Sequence, residues 1–280
     1  MQRSTVAFLA MLVVGLASPA RAGQKFRNWY FPKPFTMSSP MTPYRSGGME
    51  IGYIYLKSGH GLAFPIESSM RPFGKNFAAE LSMPLGLGVP DGGSTEFYGG
   101  NPTLGLTGFW RFLTPFAGGH AYPSALAVGA DIGIPLAMAW GENNGAFGFA
   151  LYHRDYVAWR PVFGVRPKVI YAIGKPIFFV ESELGFPAFT VDKGGHATAL
   201  IDWGITLGSQ FHEMVALMLE FGGAHDMKGS DFQPVWGALS SRLYFGKFVT
   251  GMMLIVPFRR FGEDVIGLSV YVGYEMREQI

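Results

Sequence analysis

Large apolar residues alternate with small or polar ones over many segments, and this limits the fold of the chain more than any other feature. At residues 125–137, the even positions carry Leu, Val, Ala, Ile, Ile and Leu, whereas the odd positions carry alanine, glycine, proline and Asp131. A repeat of two residues is that of a β-strand with one large apolar face and one small face. Because an unpartnered carboxylate is costly to bury in apolar surroundings, Asp131 is expected on a face that does not meet lipid or an apolar core.

The same repeat recurs along the rest of the chain. Residues 77–89, 200–208 and 266–275 repeat it clearly, with large apolar residues on one face and small or charged residues on the other. These clear segments are about 9–13 residues long, which exceeds the usual globular strand and is close to a strand that crosses a membrane at a tilt. Seven noisier segments follow the same rule: residues 49–57, 103–112, 163–173, 177–186, 215–221, 235–245 and 249–258.

Isolated charges of both signs lie on the small faces of these segments. In a soluble β-sheet protein the polar face meets water, so we would expect it to be rich in lysine, threonine and glutamate instead of glycine. Small residues with scattered charges are typical of the crowded inside of a closed barrel, whose large apolar face then meets lipid. The sequence therefore predicts an all-β fold, an antiparallel transmembrane β-barrel. The predicted lumen-facing charged residues are Glu80, Arg111, Asp131, Arg166, Lys168, Glu181, Glu183, Asp202, Glu220, Arg242 and Glu275.

The connections between strands predict their number. Short and long connections alternate in the second half of the chain, as they do between the two ends of a membrane barrel. If both termini lie at the end with short turns, the number of strands is even. The eleven segments above and the weaker residues 145–152 give about twelve strands, and ten remain possible if two weak segments are loops. The short connections are residues 174–176, 208–213 and 245–247, and the longer ones are 187–198, 222–234 and 257–264.

Prolines and aromatic residues add two expectations. Pro84 and Pro135 fall inside predicted strands, and a closed barrel has no free edge at which a proline is tolerated. We therefore expect a β-bulge at each of them. Tyrosine and tryptophan near strand ends are expected to form the aromatic girdles that flank the apolar band of membrane barrels. The candidates for these girdles are Tyr44, Trp110, Trp159 and Trp236.

Residues 1–22 have the pattern of a secretory signal peptide. Arg3 precedes an apolar run at residues 6–17, and the small residues Ala20 and Ala22 mark a cleavage site. Without this segment the chain loses two of its 22 basic residues and no acidic one, which leaves 20 bases against 20 acids. The exported chain is formally neutral, so its charge predicts no nucleic-acid partner.

Residues 23–48 are rich in proline and aromatic residues. Prolines at this density exclude a long helix or strand. We predict that the segment is either a periplasmic extension or a plug folded into the lumen, and that residues 49–280 form the barrel. The prolines are Pro32, Pro34, Pro40 and Pro43, and they lie among Trp29, Tyr30, Phe31 and Phe35.

The sequence contains no motif of a phosphate loop, nucleophile elbow, zinc site or dinucleotide site, and no cysteine. Two local pairs, His225 with Asp226 and His196 with Thr198, could supply a general base with its partner. Adjacent residues of a strand point to opposite faces, however, and such residues are common in polar loops. We therefore predict no enzyme activity, no catalytic residues, no cofactor and no metal site.

The signal peptide, the repeated strand segments and the alternating connections together resemble those of outer-membrane β-barrel proteins of Gram-negative bacteria. The resemblance extends from about Met49 to the end of the chain, and no apolar run reaches the roughly 20 residues of a spanning helix. It implies export to the outer membrane, contact with outer-membrane lipid and recognition by the barrel-insertion machinery. Members of this class usually end on an aromatic residue, whereas here the alternation ends near Tyr274 and six residues follow.

This resemblance and the charged lumen predict an outer-membrane protein of the pore or transport type. In that function the lumen charges, seven acidic and four basic, would line a path for a polar solute and favour cations. The same charges could instead form a paired network that fills a structural or surface-interaction barrel, because twelve strands fall between filled small barrels and open large ones. An outer-membrane hydrolase and a soluble exported β-protein are the remaining alternatives.

Overall fold

The computed structural model describes twelve stretches of the chain, and all but the first belong to one β-sheet. Within them the chain forms strands, turns and bends. The described part contains no helix that is long and apolar enough to cross a membrane. The described stretches are residues 31–36, 45–56, 59–71, 76–93, 95–116, 119–136, 163–175, 177–191, 196–212, 214–227, 234–259 and 266–276.

Sixteen strand segments make up the described sheet. In chain order they are β1 (Arg45–Leu56), β2 (Gly59–Ala63), β3 (Ile66–Met70), β4 (Phe77–Met83), β5 (Leu85–Pro90), β6 (Glu96–Gly99), β7 (Thr103–Pro115), β8 (Ala121–Gly133), β9 (Gly164–Lys175), β10 (Phe178–Gly185), β11 (Ala188–Val191), β12 (His196–His212), β13 (Val215–Asp226), β14 (Val235–Phe245), β15 (Phe248–Arg259) and β16 (Ile266–Met276). Four pairs of consecutive segments are separated by breaks of one to three residues, and each pair acts as one barrel strand. These pairs are β2 with β3, β4 with β5, β6 with β7, and β10 with β11.

The sheet closes on itself. Each barrel strand pairs antiparallel with the next one along the chain, and β16 pairs with β1 from Arg45↔Met276 to Tyr55↔Ile266. The result is a closed antiparallel barrel of twelve strands, which confirms the predicted fold and excludes the alternative of ten strands.

The twelfth strand is not the segment that was predicted from the sequence, so that prediction was wrong. That strand is formed by β2 and β3, in which Phe64 and Pro65 interrupt the repeat. Residues 145–152, the predicted twelfth strand, lie outside the residues that the structure describes. No strand separates β8 from β9, because these two pair directly from Ser124↔Ile173 to Gly133↔Gly164.

Burial alternates along the strands and shows which face lies inside. In β16, Ser269 and Tyr271 are buried, whereas Leu268 and Val270 are 49% and 38% exposed. In the described structure nothing packs on the outside of the closed sheet, so its buried face is the lumen. The outer face carries a large apolar surface of a kind that soluble monomers rarely expose and that lipid covers in membrane barrels.

Prolines interrupt the strands without opening the barrel. Pro84 lies alone between β4 and β5, and its carbonyl accepts a hydrogen bond from the Gly100 amide of the next barrel strand at 2.8 Å. In place of the expected bulge, the structure has a break of one residue. β8 ends at Gly133, so Pro135 lies beyond the strand and needs no bulge.

The two ends of the barrel differ in the length of their connections. At the end where β1 begins and β16 ends, here called the turn end, connections are as short as residues 213–214 and 246–247. Gly246 lies in the second of these turns with φ at 65°, a conformation that favours glycine. The opposite end, here called the loop end, carries longer connections, including residues 134–163, 227–234 and 260–265.

Candidate functional site in the barrel lumen

The lumen holds two groups of charged side chains. The first group, here called the Arg166 cluster, consists of Glu80, Asp131, Arg166, Lys168, Glu183 and Asp202. The second group surrounds residues 31–36, which precede β1 and are buried inside the barrel.

Arg166 is the centre of the first cluster. Its Nε and Nη2 donate to the two carboxylate oxygens of Asp202 at 2.7 and 2.8 Å, a bidentate arrangement that fixes the guanidinium plane. Its Nη1 donates to Asp131 at 3.0 Å, and Nη2 also donates to Glu183. Lys168 Nζ lies 2.6 Å from Asp131 Oδ1 and 3.8 Å from Glu80 Oε2. Asp131 therefore bridges the two cations.

Strand register and two glycines bring this cluster together. Asp131 lies directly opposite Arg166 in the β8–β9 pair, and Gly185 lies opposite Asp202 in the β10–β12 pair. A Cβ on Gly185 would lie 2.2 Å from Asp202 Oδ1 and 2.7 Å from Arg166 Nε. A Cβ on Gly105 would similarly lie 2.8 Å from Asp131 Oδ1. The small residues of the inner face therefore provide the space that the charged side chains occupy.

Phe31 is the first residue of the buried segment that the second group of charges surrounds. It is 1% exposed and packs in a cluster of buried residues from β8, β9, β10 and β13. Its ring stacks on Phe179 of β10, with 4.6 Å between centroids and 18° between planes. Residues 31–36 therefore reach one side of the lumen through an aromatic stack.

Phe35 contacts the other side of the lumen. Its ring meets Tyr271 of β16 edge to face at 6.1 Å, and the guanidinium carbon of Arg242 lies 4.5 Å from the centroids of both rings. Phe35 also belongs to a buried cluster that includes Met253 and Ile255 of β15. Because Phe31 packs beside β8–β10 and Phe35 beside β14–β16, residues 31–36 cross the lumen.

Two carboxylates of the wall hold the same segment. Glu220 accepts hydrogen bonds from the amides of Phe35 at 3.2 Å and Thr36 at 2.9 Å, and from the Thr36 hydroxyl at 2.5 Å. Lys33 Nζ lies 2.8 Å from Glu67 Oε2. Burial lowers the pKa of the Lys33 ammonium, but the Glu67 and Glu80 carboxylates outweigh it and raise that pKa above its usual range. Lys33 is therefore charged at physiological pH.

Comparison with known proteins places this geometry in a class. No protein-family model and no curated protein sequence matches the chain. An outer-membrane channel from Pseudomonas putida F1 matches with a TM-score of 0.57 at 10% identity, over 87% of this chain and 98% of that one. The NanC porin matches with a TM-score of 0.51 at 6% identity, over 81% of this chain and 100% of that one. The fold is that of an outer-membrane β-barrel.

The sequence-predicted charges lie in this outer-membrane barrel as follows. Asp131 and Glu80 have side chains that are 13% and 22% exposed, and Arg111 is half-buried with its guanidinium 5.4 Å from the Phe109 ring. Arg242 Nη1 lies 3.9 Å from Glu275 Oε1. Their role in solute selection stays a prediction. Among the predicted lumen charges, those exposed by 4% or less are Arg166, Lys168, Glu181, Glu183, Asp202, Glu220, Arg242 and Glu275.

Five further charged residues of the described lumen were not predicted from the sequence, and one of them, Asp226, is buried on the inner parity of β13. Glu67 lies in the unrecognised strand formed by β2 and β3, and Arg71 directly follows it. Glu50 lies in the middle of β1, and the buried apolar Ile54 on the same parity weakens the contrast between the two faces of that strand. Lys33 belongs to residues 31–36, and their proline-rich sequence has no repeat from which a direction can be inferred.

Two other predictions have structural outcomes. Trp236 is fully buried in the lumen, so its assignment to an aromatic girdle was wrong. Trp110 is 56% exposed on the outer face. The other two girdle candidates, Tyr44 and Trp159, lie outside the described residues. His225 is exposed, whereas Asp226 is buried on the opposite face. These adjacent residues therefore face away from each other.

Proposed function

We propose that this protein is a pore or transport barrel of the outer membrane, that residues 31–36 hold it closed at rest, and that it is not an enzyme. The N-terminal segment is exported with the barrel as a plug, after a signal peptide has directed the chain to the outer membrane. The outer face contacts lipid, and the insertion machinery assembles the barrel.

The observation that carries this proposal is the path of residues 31–36. They cross the lumen between Phe179 and Tyr271 and cover Glu220, whose carboxylate they bind. Side chains of the wall suffice to fill a barrel of eight strands, whereas twelve strands leave room for something more. In this barrel a separate segment fills that room, and a segment held by a few contacts can leave.

The names of two similar structures support the same function. One is described as an outer-membrane channel and the other as a porin. Their sequences are 10% and 6% identical to this chain, so they support a pore or transport function in general and no particular solute.

Charge in the described lumen favours cations. Glu50, Glu67 and Asp226 join the seven predicted acids, and Arg71 joins the four predicted bases, which makes ten acids against five bases on the described wall. A charged lining acts over about 8–10 Å at moderate salt, which is comparable to the radius of a narrow pore. The opened barrel is therefore expected to prefer cations, and less so at high salt.

Planar-bilayer recordings test the proposal. In the released variant, defined here as Phe31→Ala with Lys33→Ala and Phe35→Ala, the contacts with Phe179, Glu67 and Tyr271 are removed. We expect the wild-type barrel to be closed for most of the recording and the released variant to conduct with a preference for cations.

The control removes the same residue types from the outside of the barrel. Phe116→Ala with Lys247→Ala and Phe248→Ala changes exposed side chains near the turn end. This variant should record like the wild type. If the released variant migrates as a folded, heat-modifiable barrel and inserts but passes no current, the filled structural barrel is the correct description.

A further inference from the structure

We infer that the wall residues that hold residues 31–36 are also the recognition site for the transported solute, and that this solute is a short peptide with an aromatic side chain. The inference rests on the proposed function. In this arrangement the plug occupies the site as an internal copy of the solute, and solute and plug compete.

Two glycines of the wall each leave space for an aromatic ring. A Cβ on Gly208 would lie 2.1 Å from the Phe179 ring, so this ring lies flat against the strand and presents its other face to Phe31. A Cβ on Gly251 would lie 2.8 Å from the Phe35 ring. The wall therefore offers one stacking surface and one ring-sized recess, and offset or edge-to-face ring contacts favour aromatic occupants.

Polar groups of the same wall match a peptide backbone. Glu220 binds two consecutive amide N–H groups, those of Phe35 and Thr36. Glu67 binds an ammonium group, that of Lys33. Hydrogen bonds from amides and ammonium groups to carboxylates are stronger than neutral ones, and a peptide supplies both kinds of donor.

Arg242 supplies the independent observation. It is 2% exposed, and its Nε and Nη1 have no hydrogen-bond partner among the described residues, since Glu275 Oε1 stays 3.9 Å from Nη1. Its guanidinium lies against the Phe35 ring at 4.5 Å. Buried donors without acceptors are rare in proteins, and a planar guanidinium is suited to a carboxylate. The carboxylate of a peptide held in place of the plug would satisfy it.

Competition follows from the tether. A segment joined to the wall by a short chain has an effective concentration on the order of millimolar. A free solute therefore binds the wild-type barrel more weakly than it binds the released variant, in which the plug no longer fits. The site recognises the peptide and the plug through the same contacts, so variants of the wall weaken both.

Block of the current through the full-length released variant tests this inference. Two probes are added: a peptide of residues 31–36 with blocked ends, and the dipeptide lysyl-phenylalanine with a free carboxylate. Both should block reversibly, and Glu220→Gln should weaken the block on the order of 10- to 100-fold because a hydrogen bond to a charged group is lost. Asp91→Asn, which removes an exposed carboxylate at the loop end, should change the block less than about threefold.

Matched probes separate the contributions. The blocked peptide with Phe35→Ala and Lys33→Ala should lose its block, because neither ring nor ammonium remains for the recess and Glu67. The amide of lysyl-phenylalanine should bind on the order of tenfold more weakly than the free acid, and Arg242→Gln should abolish this difference.

Each outcome has a distinct meaning. If the released variant conducts but neither probe blocks, or if the blocked peptide blocks equally with and without its Phe35 ring and Lys33 ammonium, the inference is wrong and the proposed pore stands. If the folded released variant does not conduct, the proposed function is wrong and the inference falls with it. Should the released variant fail to fold, full-length Thr36→Ala with Phe35→Ala provides a milder open form for the same measurements.

Discussion

At the scale of the residue, Asp131 shows what a two-residue repeat can and cannot predict. The repeat placed this carboxylate on the small face, and the structure places it between Arg166 and Lys168. Alternation predicts the side of a sheet to which a side chain points. It carries no information on which strand lies next to which around the barrel, so the partners of Asp131 could not be predicted.

Gly185 is predicted to be essential for the Arg166 cluster. Gly185→Ala places a methyl group where the Asp202 carboxylate and the Arg166 guanidinium now meet. Because both side chains are buried, neither can move aside without weakening their bidentate bond. We expect a loss of about 1–3 kcal/mol in the free energy of unfolding, as for other overpacked sites. Urea unfolding in lipid vesicles, followed by tryptophan fluorescence, measures it.

Gly99→Ala is the matched control. No atom lies within 4 Å of the position that its Cβ would take. The change should stay within about 0.5 kcal/mol of the wild type. Equal losses for the two variants would show that crowding around the ion pairs does not limit stability.

At the scale of the element, the strand that sequence analysis missed is informative. β2 and β3 together carry His60 and Ser68 on the outer parity, so the large apolar face is diluted, and Pro65 separates the halves. The structure continues the ladder across this break through Glu50 N to Pro65 O at 3.0 Å and Phe64 N to Leu85 O at 2.6 Å. Tertiary pairing therefore supports a strand whose own sequence signals it weakly.

The depth of a strand in the membrane predicts a gradient of tolerance. Val128 lies in the middle of β8 and is 47% exposed on the outer face. Val128→Arg should destabilise the folded barrel by about 2–4 kcal/mol, because arginine at mid-membrane must leave water for lipid. Folding titrations in vesicles measure this cost.

Ile132→Arg is the comparison within the same strand. Ile132 lies one residue before the end of β8, on the same parity as Val128. Its cost should be about 0–1 kcal/mol, the value typical of the membrane interface. Equal costs at the two positions would contradict the assignment of the outer face to lipid.

At the scale of the whole molecule, the sequence predicts a plug only as one of two possibilities for residues 23–48, and the plug stays a proposal. Proline-rich residues 23–48 have neither periodicity nor pairing partners that indicate a direction. Only the closed barrel reveals that Glu220 and Glu67 stand where residues 31–36 can bind them. The two-residue repeat that indicates the fold class, by contrast, occurs in nearly every strand, and for that reason the fold class could be predicted from the sequence.

A reversible tether should close the whole pore. The chain has no cysteine, so Lys33→Cys with Glu67→Cys introduces the only two thiols. The ends of the two wild-type side chains meet at 2.8 Å, and a bis-thiosulfonate linker is chosen to span the gap that opens when both are shortened to cysteine. We expect raised conductance before linking, since the ion pair is gone, closure after linking and recovery on reduction.

The single variants Lys33→Cys and Glu67→Cys are the controls for the tether. Each reacts with the linker at one end only, so neither should close. Closure of a single variant would indicate that the linker itself obstructs the lumen.

The position of residues 31–36 ahead of β1 also sets an order of events in time. They precede every strand of the described chain, yet Glu220, Arg242 and Tyr271 belong to β13, β14 and β16, which lie near its end. Contacts between such distant parts of a chain form late in folding. In the proposed pore, the earliest segment is thus the last to dock, and a newly assembled barrel passes through a permeable stage before it seals.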